Sequence, residues 1–300
     1  NPNQVCTVFN AEGVLDGENV TDVVVVCDPA YTIGGTVSGL QGSGLVLQNS
    51  GGDDLSIAAD GGFTFPSALP DFSTYDVIVA SQPSSPSQTC TVTNAFGTVD
   101  GADVIDVQVT CQTDFFAVGG SVTGLEGSGL LLQNNGGDDL LLSTNGAFSF
   151  STPIEDLTGY DVTVATQPSS PSQTCTVVNG AGVVDGADVV DVEVICETNT
   201  FTVGGTISGL QGSGLVLQNN NGDDLAVAAD GSFDFPTALL DLSSYSVTVA
   251  AQPSGPNQFC SIGNGAGTLN GGDVTDVEVI CESAYTIGGT VSGLEGSGLV

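Results

Sequence analysis

The chain has 300 residues, 35 of them Asp or Glu and none Lys, Arg or His, for a formal net charge of −35; Met and Trp are absent as well. A surface of this sign repels nucleic acid and anionic membrane, both recognised largely through Lys and Arg. The missing residue types also exclude Schiff-base and P-loop lysines, Lys-containing isopeptide bonds, Ser-His and Cys-His nucleophile pairs, Cys/His zinc sites and haem attachment at CxxCH.

Acidity does not imply disorder here. Hydrophobic residues make up 40% of the chain, and they alternate as strands do, unlike the polar tracts that stay unfolded. No apolar run approaches the eighteen residues of a membrane-spanning helix.

Residues 1–30 match the last third of a unit that is then written three times, over 31–115, 116–200 and 201–284; residues 285–300 match its first sixteen positions. GGTVSGLQGSGLVLQN at Gly34 returns as GGSVTGLEGSGLLLQN at Gly119, GGTISGLQGSGLVLQN at Gly204 and GGTVSGLEGSGLV at Gly288. Near-identical tandem copies favour length, multivalency or polymerisation, whereas a catalytic site is assembled once from unlike segments. Both ends fall inside a repeat, so the expectation is a window on a longer array.

Within 31–115 seven short strands are predicted: YTIGGTVSG, GLVLQN, DLSIAA, GFTF, YDVIVAS, QTCTVTN and DVIDVQVTC. They are rich in Val, Ile, Thr, Phe and Tyr and separated by NSGGD, DGG, PSALPDFS, PSSPS and AFGTVDG, all turn chemistry. Seven strands in about 85 residues predict an all-β tandem array of roughly seven-stranded antiparallel β-sandwiches, with a barrel as the alternative. Phe63, Phe65 and Tyr75 read as core, and Gly34-Gly35 as turn residues rather than as points of close backbone approach.

The progression GGTVSGL, GSGLVLQN, DGGFTF and YDVIV resembles the repeats of bacterial surface proteins with immunoglobulin-like or carboxypeptidase-regulatory-like sandwiches. The resemblance covers all three complete repeats and implies an extracellular modular protein, often a stalk, adhesin or fibre subunit. The cysteine hairpin departs from the regulatory-like pattern, and fold by itself fixes no ligand.

Cys6 and Cys27, Cys90 and Cys111, Cys175 and Cys196, and Cys260 and Cys281 keep one spacing throughout. The first of each pair opens the sixth strand and the second closes the seventh, so an antiparallel hairpin brings them to the same end. One disulfide per repeat is the assignment, with bridges between neighbouring repeats or free thiols as alternatives. Regular even spacing without His favours disulfides over metal and points to an oxidising compartment outside the cytoplasm.

Asp100, Asp103 and Asp106 recur as Asp185, Asp188 and Asp191, then as Asn270, Asp273 and Asp276, with Asp16, Asn19 and Asp22 in the first partial copy. Oxygen ligands at a strand entrance suit a hard cation such as calcium. The competing reading is that Asp and Asn favour these turns, with cations screening the surface diffusely. The pairs Asp53-Asp54, Asp138-Asp139 and Asp223-Asp224 sit in a turn, and the adjacency that places them on opposite strand faces argues against acid–base catalysis. Asn19-Val20-Thr21 is an N-glycosylation sequon, and QPSSPSQTC before Cys90 and Cys175 offers hydroxyls for O-linked glycans.

Linkers of three or four residues are too short to act as tethers, so neighbouring sandwiches must touch or keep a restricted angle. The sequence therefore predicts no enzyme, no nucleic-acid partner and no membrane span. It predicts self-association or repeat-to-repeat contact in an extracellular filament or stalk, or else the stalk of an adhesin whose binding domain lies elsewhere.

Overall fold

The computed structural model describes residues 3–285, 287–293 and 295. Among the described residues every regular element is a strand. The first partial repeat supplies β1 (Gln4–Phe9) and β2 (Val24–Tyr31). The first complete repeat follows with β3 (Ile33–Ser38), β4 (Leu45–Asn49), β5 (Asp53–Ile57), β6 (Gly61–Thr64), β7 (Leu69–Pro70), β8 (Thr74–Ser81), β9 (Gln88–Thr93), β10 (Phe96–Thr98) and β11 (Val104–Thr113). The expected opening of a further repeat at 285–300 lies largely outside the described residues.

Two four-stranded sheets form in each complete repeat, ordered β10-β8-β4-β5 and β6-β3-β11-β9 in the first. Period-two alternation explains which side chains turn inward. In β4, Leu45, Leu47 and Asn49 are buried while Val46 and Gln48 lie between them. In β11, Val107, Val109 and Cys111 are buried in the same alternation. Both sheets feed one core, which gathers Ile33, Leu45, Leu47, Phe65, Val77 and Val107. Phe63 and Phe65 meet edge to face with ring centres 5.8 Å apart, a favoured aromatic geometry. The second and third repeats each build an equivalent core from their own residues.

All seven expected strands form, and two short ones join them. β10 lies in the AFGTVDG stretch read as a turn and pairs with the start of β8. β7 lies in PSALPDFS, and Leu69 and Pro70 pair with Tyr31 and Ala30 of β2. Each sheet is antiparallel except at one place: the opening strand β3 runs parallel to the closing strand β11, with Gly35 opposite Val107 and Val37 opposite Val109.

That parallel pair corrects the reading of the paired glycines as turn residues. The register shifts between Val104 and Val107, which bulges β11 towards β3. A Cβ on Gly35 would overlap the Val107 carbonyl, and one on Gly34 would overlap the Phe63 carbonyl on the other flank. Gly119-Gly120 and Gly204-Gly205 sit in the same vice. Tyr75 is core as expected; its ring lies over Gly97, its cross-strand partner on β10.

Gly35→Ala should therefore cost the first repeat about 1–3 kcal/mol by overpacking, seen as an earlier unfolding transition in calorimetry. Gly52→Ala, where a methyl meets open space, should leave that transition in place.

Candidate functional site: disulfides, carboxylates and the joints between repeats

The paired antiparallel strands β9 and β11 put Cys90 directly opposite Cys111. The two are bridged with Cα atoms 3.9 Å apart. Cys6–Cys27, Cys175–Cys196 and Cys260–Cys281 repeat the arrangement, so every cysteine is bridged within its own repeat. Gln82 braces the same point from the loop, since its Oε1 accepts from Cys90 N at 2.8 Å and its Nε2 donates to Cys90 O at 3.0 Å. QPSSPSQTC is thus an ordered connection that clasps its own cysteine.

The carboxylates of the Asp100, Asp103 and Asp106 series take separate tasks. Asp103 Oδ1 accepts from Thr32 N at 2.7 Å, pinning the start of β11 beside the start of β3. Asp188 and Asp273 do the same for Ala117 N and Thr202 N, also at 2.7 Å. At Asp106, Asp191 and Asp276 it is the backbone carbonyl that is engaged, by Asn94, Asn179 and Asn264 respectively. Burial, and then the Asp106 charge, push the Tyr75 hydroxyl above its ordinary pKa. Asp100 and Asp185 sit in the exposed turn before this strand. Among the described residues no three Asp, Glu, Cys or His side chains gather as a metal-binding group. Asn19 lies exposed in the irregular stretch before β2.

Other aspartates work the same way. Asp60 accepts from Gly39 N and Leu40 N at 3.0 and 2.8 Å, and Asp230 does so from Gly209 N and Leu210 N. Where the second repeat has Asn145, its amide bonds both N and O of Leu125. Asp53 accepts from Ser67 N at 3.1 Å.

Three polar positions escape a reading based on turns and alternation. Gln88, 2% exposed, accepts from Gln41 N and Gly42 N at 2.7 and 2.8 Å and donates to Gly39 O at 2.8 Å. Gln173 and Gln258 repeat that pin. Asn49, Asn134 and Asn219 end the second strand of each repeat with the side chain buried; their Oδ1 atoms accept from Asp76, Asp161 and Ser246 N. The third position is an aspartate, Asp71, Asp156 and Asp241, half-buried in the first repeat and buried in the other two, in the stretch that reads only as a turn. Its return every 85 residues in LPDF, IEDL and LLDL is the signal that sequence reasoning missed.

Asp156 and Asp241 stand at the joints, each 6% exposed. Asp156 Oδ2 accepts from Ser87 N of the preceding repeat at 2.6 Å, while Oδ1 accepts from Gly186 N of its own repeat at 2.7 Å. Asp241 spans Ser172 N and Gly271 N at 2.6 and 2.8 Å. Burial raises the Asp156 carboxyl, but the amides of Ser87, Gly186 and Leu157 outweigh it and hold the group below the usual carboxylate range. The Ser172 and Gly271 amides do the same for Asp241 against the opposing effect of burial. Beside the first of these joints lies an open groove lined by Thr89, Thr113, Asp114, Phe115 and Glu155.

No protein-family model matches the chain, and no curated protein matches it. Among solved structures it is similar to the TIE protein of Bacillus anthracis, at 12% identity and a TM-score of 0.47, over 87% of this chain and 52% of that one. The pilus adhesin SpaC of Lactobacillus rhamnosus GG in its open conformation aligns at 12% identity and a TM-score of 0.24, over 91% and 46%. A streptococcal ancillary pilin aligns at 13% identity and a TM-score of 0.25, over 84% and 99%. The chain spans about half the length of the first two.

Gln88→Ala strips the Gln41 and Gly42 amides of their buried acceptor, so the first repeat should lose about 1–3 kcal/mol for each group left unpaired, read as an earlier melting transition. The joints should respond to acid. A carboxylate held below its ordinary pKa stabilises fully above about pH 4, and that contribution is lost as pH falls further through the folded-state value. Protonation elsewhere relieves the self-repulsion of the chain and acts in the opposite direction. The acid profile of Asp156→Asn subtracted from that of the unaltered chain isolates the joint: the difference should be constant above about pH 4 and shrink below it.

Proposed function

We propose that this chain is a segment of an extracellular bacterial filament or surface stalk built of tandem disulfide-stapled β-sandwiches, of the immunoglobulin-like or carboxypeptidase-regulatory-like kind. One observation carries the reading: the disulfide and the buried glutamine recur once per complete repeat, the buried aspartate recurs at both joints between complete repeats, and each is spent on holding a repeat or a joint together. Repetition of this kind serves length. The disulfides suit an oxidising exterior, and a chain without Lys or Arg gives trypsin-like proteases nothing to cut. In this reading mobile cations, calcium among them, screen the charge.

The second reading, the stalk of an adhesin whose binding domain lies outside the segment, is favoured by the sheet edge at β5. That edge strand begins with Asp53-Asp54, and its counterparts begin with Asp138-Asp139 and Asp223-Asp224. Charged residues on an edge oppose strand-to-strand addition between molecules, which suits single extended stalks better than laterally grown fibres.

Electron microscopy of the native material, with and without a calcium chelator, tests the proposal. Filaments with a spacing that tracks the repeat support the polymer, and single strands anchored to cells support the adhesin stalk. Compact particles would sink both readings. Filaments that survive chelation would limit calcium to screening, and filaments that dissolve would promote the aspartates to ligands.

A further inference from the structure

The joints are of two kinds, and linker length separates them. From the last cysteine of one repeat to the first glycine of the next pair, Cys111 to Gly119 and Cys196 to Gly204 are one residue longer than Cys27 to Gly34 and Cys281 to Gly288. In the long joints the extra residue does specific work. β11 ends at Thr113, the next strand β12 (Phe115–Phe116) begins after Asp114, and β12 pairs with Ile154–Glu155 of the following repeat. Asp114 N donates to Ser87 O at 3.0 Å, Asp156 N donates to Asp114 O at 2.9 Å, and Ser87 N donates to Asp156 Oδ2 at 2.6 Å. The three residues close a triangle of hydrogen bonds across the two repeats. The second long joint builds the same triangle from Ser172, Asn199 and Asp241, at 3.0, 2.9 and 2.6 Å. Thr89 and Thr174 fasten the extra residue from outside, each hydroxyl donating to the Oδ1 of Asp114 or Asn199.

At the short joint the same bonds fall on two different residues. β2 runs unbroken from one repeat into the next. Ala30 N donates to Asn3 O at 2.9 Å, whereas Asp71 N donates to Pro29 O at 3.2 Å. Among the described residues no single linker residue ties both repeats, so the triangle is open. The Asp71 carboxylate accepts from Phe72 N and Gly101 N, both in its own repeat.

We propose that the long joints are locked by the Ser-linker-Asp triangle and the short joints are not, so that this array is built of rigid groups of repeats separated by compliant joints. Asp156 and Asp241 are the positioning residues of the locked joints. The residue count between cysteine and glycine pair then lets the stiff and pliant joints be read from sequence. The mechanical purpose rests on the array reading above, but the joint property does not; it is measured on the isolated chain, whereas the array reading stands or falls on native material.

The lack of lysine in the chain provides the test. Lysines introduced at Gly52 and Gly137, both facing open space, take amine-reactive dyes across the first long joint, and lysines at Thr7, an exposed position of β1, and Gly52 do so across the short one. Single-molecule energy transfer should give one narrow population across the long joint and a broader one across the short joint. Asp156→Asn places an amide donor where Oδ2 accepts and should broaden the long joint without moving the melting transitions of the repeats. In the same variant, hydrogen exchange at Ser87 should quicken at least about tenfold, as local opening loses its barrier. Equal widths at the two joints would overturn the proposal. So would an Asp156→Asn chain with unchanged width and unchanged Ser87 exchange. If Asp156→Asn fails to fold, the comparison of widths in the unaltered background decides alone.

Discussion

Thirty-five carboxylates with no cationic side chain to meet them are the constraint on which this structure depends. No aspartate here can be steadied by an Arg or Lys, so the backbone does it. Asp60, Asp103, Asp156 and Asp241 each accept from main-chain amides. Such charge-assisted bonds are stronger than neutral ones. They fall at loop closures, strand starts and joints, the places where amides outside the sheet ladders need acceptors. Carboxylates not used this way stay at the surface, where they keep molecules apart.

Given that surface, cohesion has to come from within each repeat. Two sheets close over an apolar core, and the parallel pair β3 and β11 brings the opening and closing strands together. The disulfide then joins the closing strand to its neighbour at the end nearest the next repeat. In the loop-entropy model, closing about twenty residues contributes roughly 3 kcal/mol, a large addition for a sandwich of this size. The result is a unit whose first and last strands are fixed side by side, so that the strand leaving one repeat can become the strand entering the next within a few residues.

Much of this architecture can be read directly from the residues, because strands, turns and disulfides leave local patterns. Alternation in GLVLQN and in DVQVTC identifies inward positions, and the constant cysteine spacing identifies the bridge. What stays hidden depends on partners far away in the chain. Nothing local says that Gly35 is pressed by Val107, or that Gln88 reaches back to Gln41 and Gly42. Asp103 accepts from Thr32, 71 positions earlier, a partner that no local pattern names. Asp156 reads as one more turn residue because its donor belongs to the preceding repeat. For the polar residues the repeat period is the available signal: Gln88 and Asp103 return in every complete copy, and their partners return with them.

If the hydrogen-bonded joints rather than charge repulsion hold neighbouring repeats in place, the dimensions of a chain of charge −35 should not depend on salt. Small-angle X-ray scattering of the isolated chain across a rising series of salt concentrations separates the two most directly. Screening shortens the reach of exposed charges to a few ångströms near molar salt but leaves buried hydrogen bonds in place. The expected result is a maximum dimension that holds steady from low to high salt. A progressive collapse with added salt would contradict it.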